Sequence, residues 1–298
     1  MFSFLRRATL SFGLLSLASL SSFTATVARA QSPSPGSSAA PRVPDTTDAS
    51  VSDPCAGAGR LLATLNRPTF GYSACAVPKG SIVLEEGYQN QAQSGPAAAV
   101  TASFPQGFER VGIADRLELD VIGPAYNRGR SGGALASGYS DLGLGFKYEL
   151  PQRGRLTYAV DGLFQAATGT GGFGLGGPTT AANFDIAYAA SPAVGFGTTI
   201  AAYASSGAER SGAISRYGYL LPSLVVTVQI PNATQFYAEV AGRTKTAPDR
   251  GGQIFTDFGV QKLLGPYLEV DGEYGIDFTP VDGSRFHYVG VGFGVRVK

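Results

Sequence analysis

Acidic residues stand at every second position near the C-terminus, where Glu269, Asp271 and Glu273 alternate with apolar residues. Carboxylates grouped in this way can act as acid and base on a glycosidic bond or bind a divalent cation. The alternation places them on one face of a β-strand, however, where like charges repel unless basic groups neutralise them. We therefore expect a wall of paired charges and no metal site. The basic residues expected as partners are Arg243, Lys245, Arg285, Arg296, Arg116, Lys147 and Arg155.

Two other groups of residues could do chemistry. His287, the only histidine, follows Ser284 by three positions, and such a pair could serve as base and nucleophile at a lipid surface. No orienting third group accompanies them, and His287 falls beside a loop near the end of a predicted strand. The glycine-rich residues 171–177 lack the Lys-Ser/Thr and the helix of a phosphate-binding loop. The sequence therefore predicts no enzyme activity and no cofactor.

The elements that position these residues are predicted to be β-strands. Apolar residues alternate with polar or charged ones in segment after segment from Gly80 onward, which is the period-two pattern of a strand. About twelve strands are predicted, at residues 81–90, 99–113, 116–123, 139–150, 155–168, 181–190, 194–206, 214–230, 234–246, 253–264, 267–279 and 285–297.

The predicted connections alternate in length. Tight turns follow the even strands, at residues 114–115, 151–154, 191–193, 231–233 and 265–266. Longer polar or glycine-rich connections follow the odd strands, at residues 91–98, 124–138, 169–180, 207–213, 247–252 and 280–284. Short periplasmic turns and longer outer loops are typical of an outer-membrane barrel. The sequence therefore predicts an all-β, closed antiparallel transmembrane β-barrel of about twelve strands.

The two faces of each strand fit this architecture. In residues 140–150, the apolar residues Leu142, Leu144, Phe146 and Tyr148 share one face, which we expect to contact lipid. Tyrosines near strand ends, Tyr139, Tyr148, Tyr217, Tyr219, Tyr267 and Tyr274, are expected to form interfacial girdles. The opposite face is expected to line the lumen through Arg116, Glu118, Asp120, Asp141, Lys147, Glu149, Arg155, Asp161, Asp185, Glu239, Arg243, Asp257, Glu269, Asp271, Glu273, Asp277 and Arg296.

Composition removes several other classes. Lys and Arg number 23 against 22 for Asp and Glu, so no basic excess favours nucleic acid as a partner. No stretch beyond the N-terminus approaches the ~18 consecutive apolar residues that a transmembrane helix requires.

The N-terminal region has three parts. Residues 1–30 have the basic start, apolar stretch and Ala28-Arg29-Ala30 site of a cleaved signal peptide. Residues 31–54, rich in Pro, Ser and Ala, are expected to be disordered. Cys55 and Cys75 are the only cysteines, and in an exported chain they are expected to form one disulfide. Residues 55–79 then form a stapled cap or plug, or merely a structural hairpin, before the barrel at 80–298.

Part of the chain resembles a known family. The run Arg110-Val111-Gly112-Ile113-Ala114-Asp115-Arg116-Leu117-Glu118-Leu119 resembles a hairpin of the outer-membrane transporter family named for the meta pathway of phenol degradation. Residues 141–148 are similar to the next strand of that family, and residues 80–88 to its first. The resemblance covers residues 80–150 and implies a channel-like barrel for small hydrophobic or aromatic compounds.

The expected function is that of a bacterial outer-membrane channel that passes small solutes through a charged lumen. The expected partners are outer-membrane lipid, the solute and the barrel-assembly machinery. A structural or surface-binding barrel with a filled lumen is the alternative, and an outer-membrane lipid-modifying enzyme is the third hypothesis.

Overall fold

The computed structural model describes Cys55 and residues 60–297, so the predicted signal peptide and the predicted disordered lead lie outside the described residues. The described part contains a short helix, α1 (Arg60–Thr64), and fifteen strand segments. No helix in this part of the chain is long and apolar enough to cross a bilayer. The strand segments are β1 (Ile82–Ser94), β2 (Ala99–Phe104), β3 (Phe108–Ala114), β4 (Leu117–Ile122), β5 (Tyr126–Ser131), β6 (Ala134–Tyr139), β7 (Gly143–Glu149), β8 (Leu156–Gln165), β9 (Thr179–Ala189), β10 (Val194–Ala208), β11 (Ile214–Ile230), β12 (Thr234–Arg243), β13 (Gln253–Leu263), β14 (Leu268–Asp277) and β15 (Arg285–Arg296).

The strand segments form one closed antiparallel barrel. Each segment pairs with its neighbour in the wall, and β15 closes the ring by pairing with β1 along its length, from Val83 opposite Arg296 to Ser94 opposite Arg285. Three strands of the wall are each made of two segments, namely β2 with β3, β4 with β5, and β6 with β7. The barrel therefore has twelve strands, which confirms the predicted fold class.

The wall is interrupted where these three strands divide. Pro105 follows β2, Gly123 and Pro124 separate β4 from β5, and Asp141 lies between β6 and β7. Proline cannot donate a ladder hydrogen bond. The carboxylate of Asp141 accepts hydrogen bonds from the backbone N–H groups of Gly169, at 2.7 Å, and Leu175, at 2.8 Å.

This interruption corrects three predictions. Residues 99–113 and 139–150 are not continuous strands, and residues 124–138 are not a loop but contain the hairpin of β5 and β6. The edge of β6 that does not pair with β5 is met by the loop after β8, because Tyr139 exchanges hydrogen bonds with Thr170.

The two ends of the barrel differ. Short connections lie at the end where β1 begins, which we call the turn end, and the longer connections after β8, β12 and β14 lie at the other end, the loop end. The predicted first loop, at 91–98, is shorter than expected, because β1 continues to Ser94 and leaves only residues 95–98. The polar residues of 91–94 belong to the strand itself.

The faces of the strands are sorted by polarity. On β7, Leu144 and Phe146 are 56 % and 48 % exposed on the outside, whereas Lys147 is fully buried on the inside. Residues at alternate positions of β8, β12 and β14 follow the same rule. A barrel with an apolar outer face and a charged interior is suited to a lipid environment. A water-soluble barrel has the reverse arrangement, with apolar residues inside and polar residues outside.

Candidate functional site

Residues 60–79, which we call the N-terminal segment, lie inside the barrel. Helix α1 starts the segment at the turn end, where Leu61, Leu62 and Leu65 form an apolar cluster with Val83 and Leu263 of the wall. The segment then reaches the middle of the barrel and returns to the turn end, where the N–H of Gly80 donates to the carbonyl of Gly112 at 2.7 Å. The predicted disulfide joins Cys55 to Cys75.

Carboxylates of the wall hold the backbone of the segment on its way inward. Glu85 on β1 accepts hydrogen bonds from the N–H groups of Asn66, at 2.8 Å, and Arg67, at 2.7 Å. Glu239 on β12 accepts from the N–H groups of Phe70, at 2.7 Å, and Gly71, at 2.8 Å. An irregular backbone buried in a barrel needs partners for its polar groups, and hydrogen bonds to a charged acceptor are the stronger kind.

The returning part of the segment is held by a second set of wall residues. Glu118 accepts from the N–H of Val77, and Glu149 accepts from the N–H of Ala76 at 2.9 Å. Lys147 donates to the carbonyl of Ser73 at 2.6 Å. Gly112 allows the segment to approach the wall closely, because a Cβ at this position would lie 2.1 Å from the carbonyl oxygen of Pro78.

Arg110 is the centre of one side of the interior, which we call the arginine-centred wall (β1, β3 and β4). Its guanidinium is fully buried and lies 3.0 Å from Glu85 and 2.6 Å from Glu118, with Asp120 at 3.9 Å. It also donates to the carbonyls of Thr64 and Cys75 in the segment. Because Glu85 and Glu118 both pair and hydrogen-bond with Arg110, the desolvation of these three groups is offset.

Arg67 carries a positive charge of the segment to a second part of the wall, separated from β1 by β15, which we call the acidic wall (β12, β13 and β14). Its guanidinium lies 3.2 Å from Asp271 and 3.7 Å from Glu273. Burial by itself lowers the pKa of Arg67, but the charges of Asp271 and Glu273 raise that pKa above its ordinary value, so the side chain stays cationic. Gly292 makes room for it, because a Cβ there would lie 2.6 Å from the Arg67 Nε atom.

Aromatic side chains line the interior toward the loop end. The ring of Phe70, at the tip of the segment, packs 4.5 Å from that of Phe255. Arg243 lies over Phe255 at 5.3 Å. On β10 and β11, which continue the wall beyond β12, Tyr203 and Tyr219 stack at 4.7 Å. The interior is therefore filled by the N-terminal segment at the turn end and lined by aromatic side chains toward the loop end.

These contacts correct one prediction about the tyrosines. Tyr217 and Tyr219 occupy the inward positions of β11, so they do not belong to an interfacial girdle. Tyr139 and Tyr267 are exposed on the outside, at 50 % and 57 %. The position of a tyrosine near a strand end does not show whether its ring faces lipid or the interior. The period of two on β11 does show this.

Most predicted lumen residues occupy the buried side of the barrel. These are Glu118, Asp120, Asp141, Lys147, Glu149, Asp161, Asp185, Glu239, Arg243, Asp257, Glu269, Asp271, Glu273 and Asp277.

Three predicted lumen residues lie elsewhere. Arg116 is exposed in the turn between β3 and β4, with a φ of 66°, and Arg155 is exposed before β8, where it donates to the carbonyl of Ala190. Arg296 ends β15 at the turn end and lies over the ring of Tyr267 at 5.1 Å. Long basic side chains at strand ends reach carbonyls and rings at the rim, because their charge is better solvated there.

The expected partners of the acidic wall are also corrected. Lys245 is exposed in a loop, and Arg285 is exposed at the start of β15. The cation that meets Asp271 and Glu273 is Arg67, from the segment. Sequence reasoning missed Arg67, Arg110 and Glu85. The inward position of Arg110 and Glu85 could have been predicted, since both alternate with apolar residues in a predicted strand. Arg67 lies in no predicted strand, so no pattern around it predicts its position.

Ser284 and His287 do not form the pair that catalysis would need. Ser284 is buried and accepts a hydrogen bond from the N–H of Ala97 at 3.1 Å. His287 is exposed on the outer face, where its ring lies 6.4 Å from that of Tyr274. The two side chains therefore have different partners on different sides of the wall.

Comparison with known proteins supports the class of fold. No family model matches the sequence, and no curated protein matches it. An outer membrane channel from Pseudomonas putida F1 is similar in structure, with a TM-score of 0.59 and 14% identity, over 74% of this chain and 97% of that one. The fold is therefore that of an outer-membrane β-barrel.

Two further solved structures match over similar lengths at lower scores. The NanC porin has a TM-score of 0.48 and 13% identity over 70% of this chain and 98% of its own. The CymD monoaromatic hydrocarbon channel has a TM-score of 0.42 and 10% identity over 74% of this chain and 89% of its own.

Proposed function

We propose that this protein is an outer-membrane channel for small solutes. The observation that carries the proposal is the sorting of side chains in a closed barrel, with apolar residues such as Leu144 and Phe146 outside and charged residues such as Asp257 and Glu273 inside. A charged interior gives water and polar solutes a route through a wall that faces lipid. The protein acts without enzyme activity in this proposal.

The same proposal includes the route to the membrane. Residues 1–30 direct export and are cleaved, and the barrel-assembly machinery then inserts the chain among outer-membrane lipids. The exposed rings of Tyr126, Tyr139 and Tyr267 supply the interfacial contacts of a membrane-embedded barrel.

The N-terminal segment limits what passes. It is anchored through Glu85, Glu118 and Glu239 and fills the interior at the turn end, so the remaining path is narrow and suits small solutes. The rings of Phe255, Phe286 and Tyr288 pack around Phe70 at the tip of the segment. An aromatic cluster at this point of the interior supports the proposal that the solutes are hydrophobic or aromatic.

A structural or surface-binding barrel is the second candidate. The observation that favours it is the extent to which the segment is anchored, because backbone groups of Asn66, Gly71 and Val77 all have wall partners. In that case the outer loops would carry the binding function, and no ions would pass through the interior.

Recording from the purified full-length protein in planar bilayers separates the two candidates. We expect small, discrete conductance steps that rise when the disulfide is reduced, because the closed loop of 20 residues that helps hold the segment is then opened. The matched control is a Cys55→Ser/Cys75→Ser variant, on which reductant should have no effect. Absence of conductance in both redox states and in this variant would contradict the channel and favour the structural barrel.

A further inference from the structure

The loop-end half of the interior differs from the rest in how much of its surface is accessible. Asp257 and Glu269, deeper in the barrel, are 0 % exposed. The rings of Tyr203, Tyr217 and Tyr219 occupy inward positions of β10 and β11, yet they are only half-buried. A solute that enters from the loop end therefore meets these tyrosines before it reaches the carboxylates of the walls.

Arg243 lies next to these tyrosines, at the end of β12. The N–H of Thr244 donates to the carbonyl of Leu220 at 2.9 Å, which makes Tyr219 an inward neighbour of Arg243 on the adjoining strand. On the other side the guanidinium lies 5.3 Å over the ring of Phe255, which is itself 0 % exposed. The guanidinium therefore has a buried ring beneath it and half-buried tyrosines beside it.

The guanidinium of Arg243 has no polar partner among the described residues. Its Nε atom is buried without a hydrogen-bond acceptor, and no hydrogen bond or ion pair joins the side chain to another residue in this part of the chain. Arg67 and Arg110, by contrast, both pair with wall carboxylates. Stacking on a ring uses the face of a guanidinium and leaves the N–H donors in its plane free for an acceptor.

The carboxylate of Asp277, on the strand next to Phe255, does not supply that acceptor. It is 1 % exposed, and it accepts hydrogen bonds from the side chain of Gln253 at 3.3 Å and from the N–H of Phe286 at 3.1 Å. Arg243 is half-buried. The accessible charge beside the tyrosines is therefore positive, although most charges of the interior are acidic.

These features together specify a class of ligand. A guanidinium binds a carboxylate through paired hydrogen bonds, and aromatic side chains bind a flat ring by offset or edge contacts. A half-buried cation without a counter-charge in the protein favours an anion beside it. We propose that Arg243 binds the carboxylate of an aromatic carboxylic acid while Tyr217 and Tyr219 contact its ring. This inference rests on the proposed channel function, for which it names the class of solute.

The variants that test the proposal should leave the barrel folded. Arg243→Gln removes the charge without breaking an ion pair among the described residues, and Arg243→Lys keeps the charge but loses the planar pair of donors. The matched control is Arg216→Gln, which removes the same charge near the loop end but from the exposed outer face of β11. Folding of each variant is checked by the difference in gel migration between unheated and heated samples.

The measurement is isothermal titration calorimetry of the purified full-length protein in detergent. The ligands are benzoate, benzamide, which has the same ring without the charge, and cyclohexanecarboxylate, which has the charge without the aromatic ring. We expect saturable binding of benzoate that Arg243→Gln weakens about tenfold or more, with Arg243→Lys between the two and Arg216→Gln unchanged. Benzamide should bind about tenfold more weakly than benzoate, and cyclohexanecarboxylate about threefold more weakly.

The outcomes separate the site from the channel. Equal weakening in Arg243→Gln and Arg216→Gln would overturn the assignment to Arg243, and equal affinity for benzoate and benzamide would overturn the role of the carboxylate. A wild type that conducts in planar bilayers but does not bind benzoate would overturn the inference and leave the channel intact. Benzoate binding by a protein that never conducts would instead contradict the channel function and leave the binding site.

Discussion

The two sides of the barrel interior use acidic residues in different ways. On the arginine-centred wall, Glu85, Glu118 and Asp120 surround one buried guanidinium, that of Arg110. On the acidic wall the cation comes from the segment instead, because Arg67 lies 3.2 Å from Asp271 and 3.7 Å from Glu273. The first arrangement holds the N-terminal segment through a guanidinium of the wall, and the second holds it through a guanidinium of the segment itself. The same residue types therefore fix the segment on both walls, with the cation on the wall in one case and on the segment in the other.

The largest effect should follow from breaking the arginine-centred wall. Arg110→Gln leaves Glu85 and Glu118 buried without their counter-charge, and the expected loss is about 3–5 kcal/mol in the free energy of unfolding. Urea unfolding in detergent micelles measures it. Arg243→Gln is the matched control, because no carboxylate among the described residues lies within ion-pair distance of Arg243, and it should lose far less. Equal losses would contradict the difference between the walls.

A smaller effect is expected where Arg67 crosses to the acidic wall. A Cβ at position 292 would lie 2.6 Å from Arg67 Nε and 2.7 Å from the carbonyl oxygen of Glu86, so Gly292→Ala should cost roughly 1–3 kcal/mol through overpacking. Gly272→Ala, where the nearest atom is 4.0 Å away, is the control in the same unfolding assay. If the two variants unfolded alike, Arg67 would not be held in this position.

Two carboxylates of the acidic wall should also differ from each other. Glu239→Gln puts an amide where two N–H groups now donate, and we expect a loss of about 1–3 kcal/mol together with more frequent opening in bilayer recordings. Glu269→Gln removes a buried carboxylate that accepts from no backbone N–H in the described part of the chain, and it should leave stability unchanged or raise it. A greater loss in Glu269→Gln than in Glu239→Gln would contradict their assigned roles.

The smallest effect is expected outside the barrel. Arg210 forms an ion pair with Asp282 across exposed loops. Solvent screens such pairs, so Arg210→Gln should not change the unfolding midpoint. A clear shift of the midpoint would indicate that the exposed loops, and not only the two walls, stabilise the barrel.

Much of this architecture could be predicted from the sequence. The period of two on β14 determines which side of the strand carries Glu269, Asp271 and Glu273, because one face must avoid lipid. The interruptions at Pro105 and Asp141 were missed, since a kinked strand keeps its alternation on both sides of the break.

The partners of the charges could not be predicted in the same way. Arg67 meets Asp271 across more than two hundred residues, and that contact depends on the path of a segment without regular structure. The alternation of polar and apolar residues shows which face of a strand is directed inward. It does not show which inward side chains contact one another. For the same reason, Arg116 and Arg155 were expected inside although they lie in turns.

Substituted-cysteine modification during bilayer recording tests most directly whether the N-terminal segment covers both walls of the interior. Both native cysteines are joined in the disulfide, so a cysteine introduced at Asp257 or Asp120 is the only free thiol. We predict that a positively charged thiol reagent leaves the current of both Asp257→Cys and Asp120→Cys unchanged, because these side chains are 0 % and 6 % exposed beside the segment. Rapid modification of either variant would contradict the account.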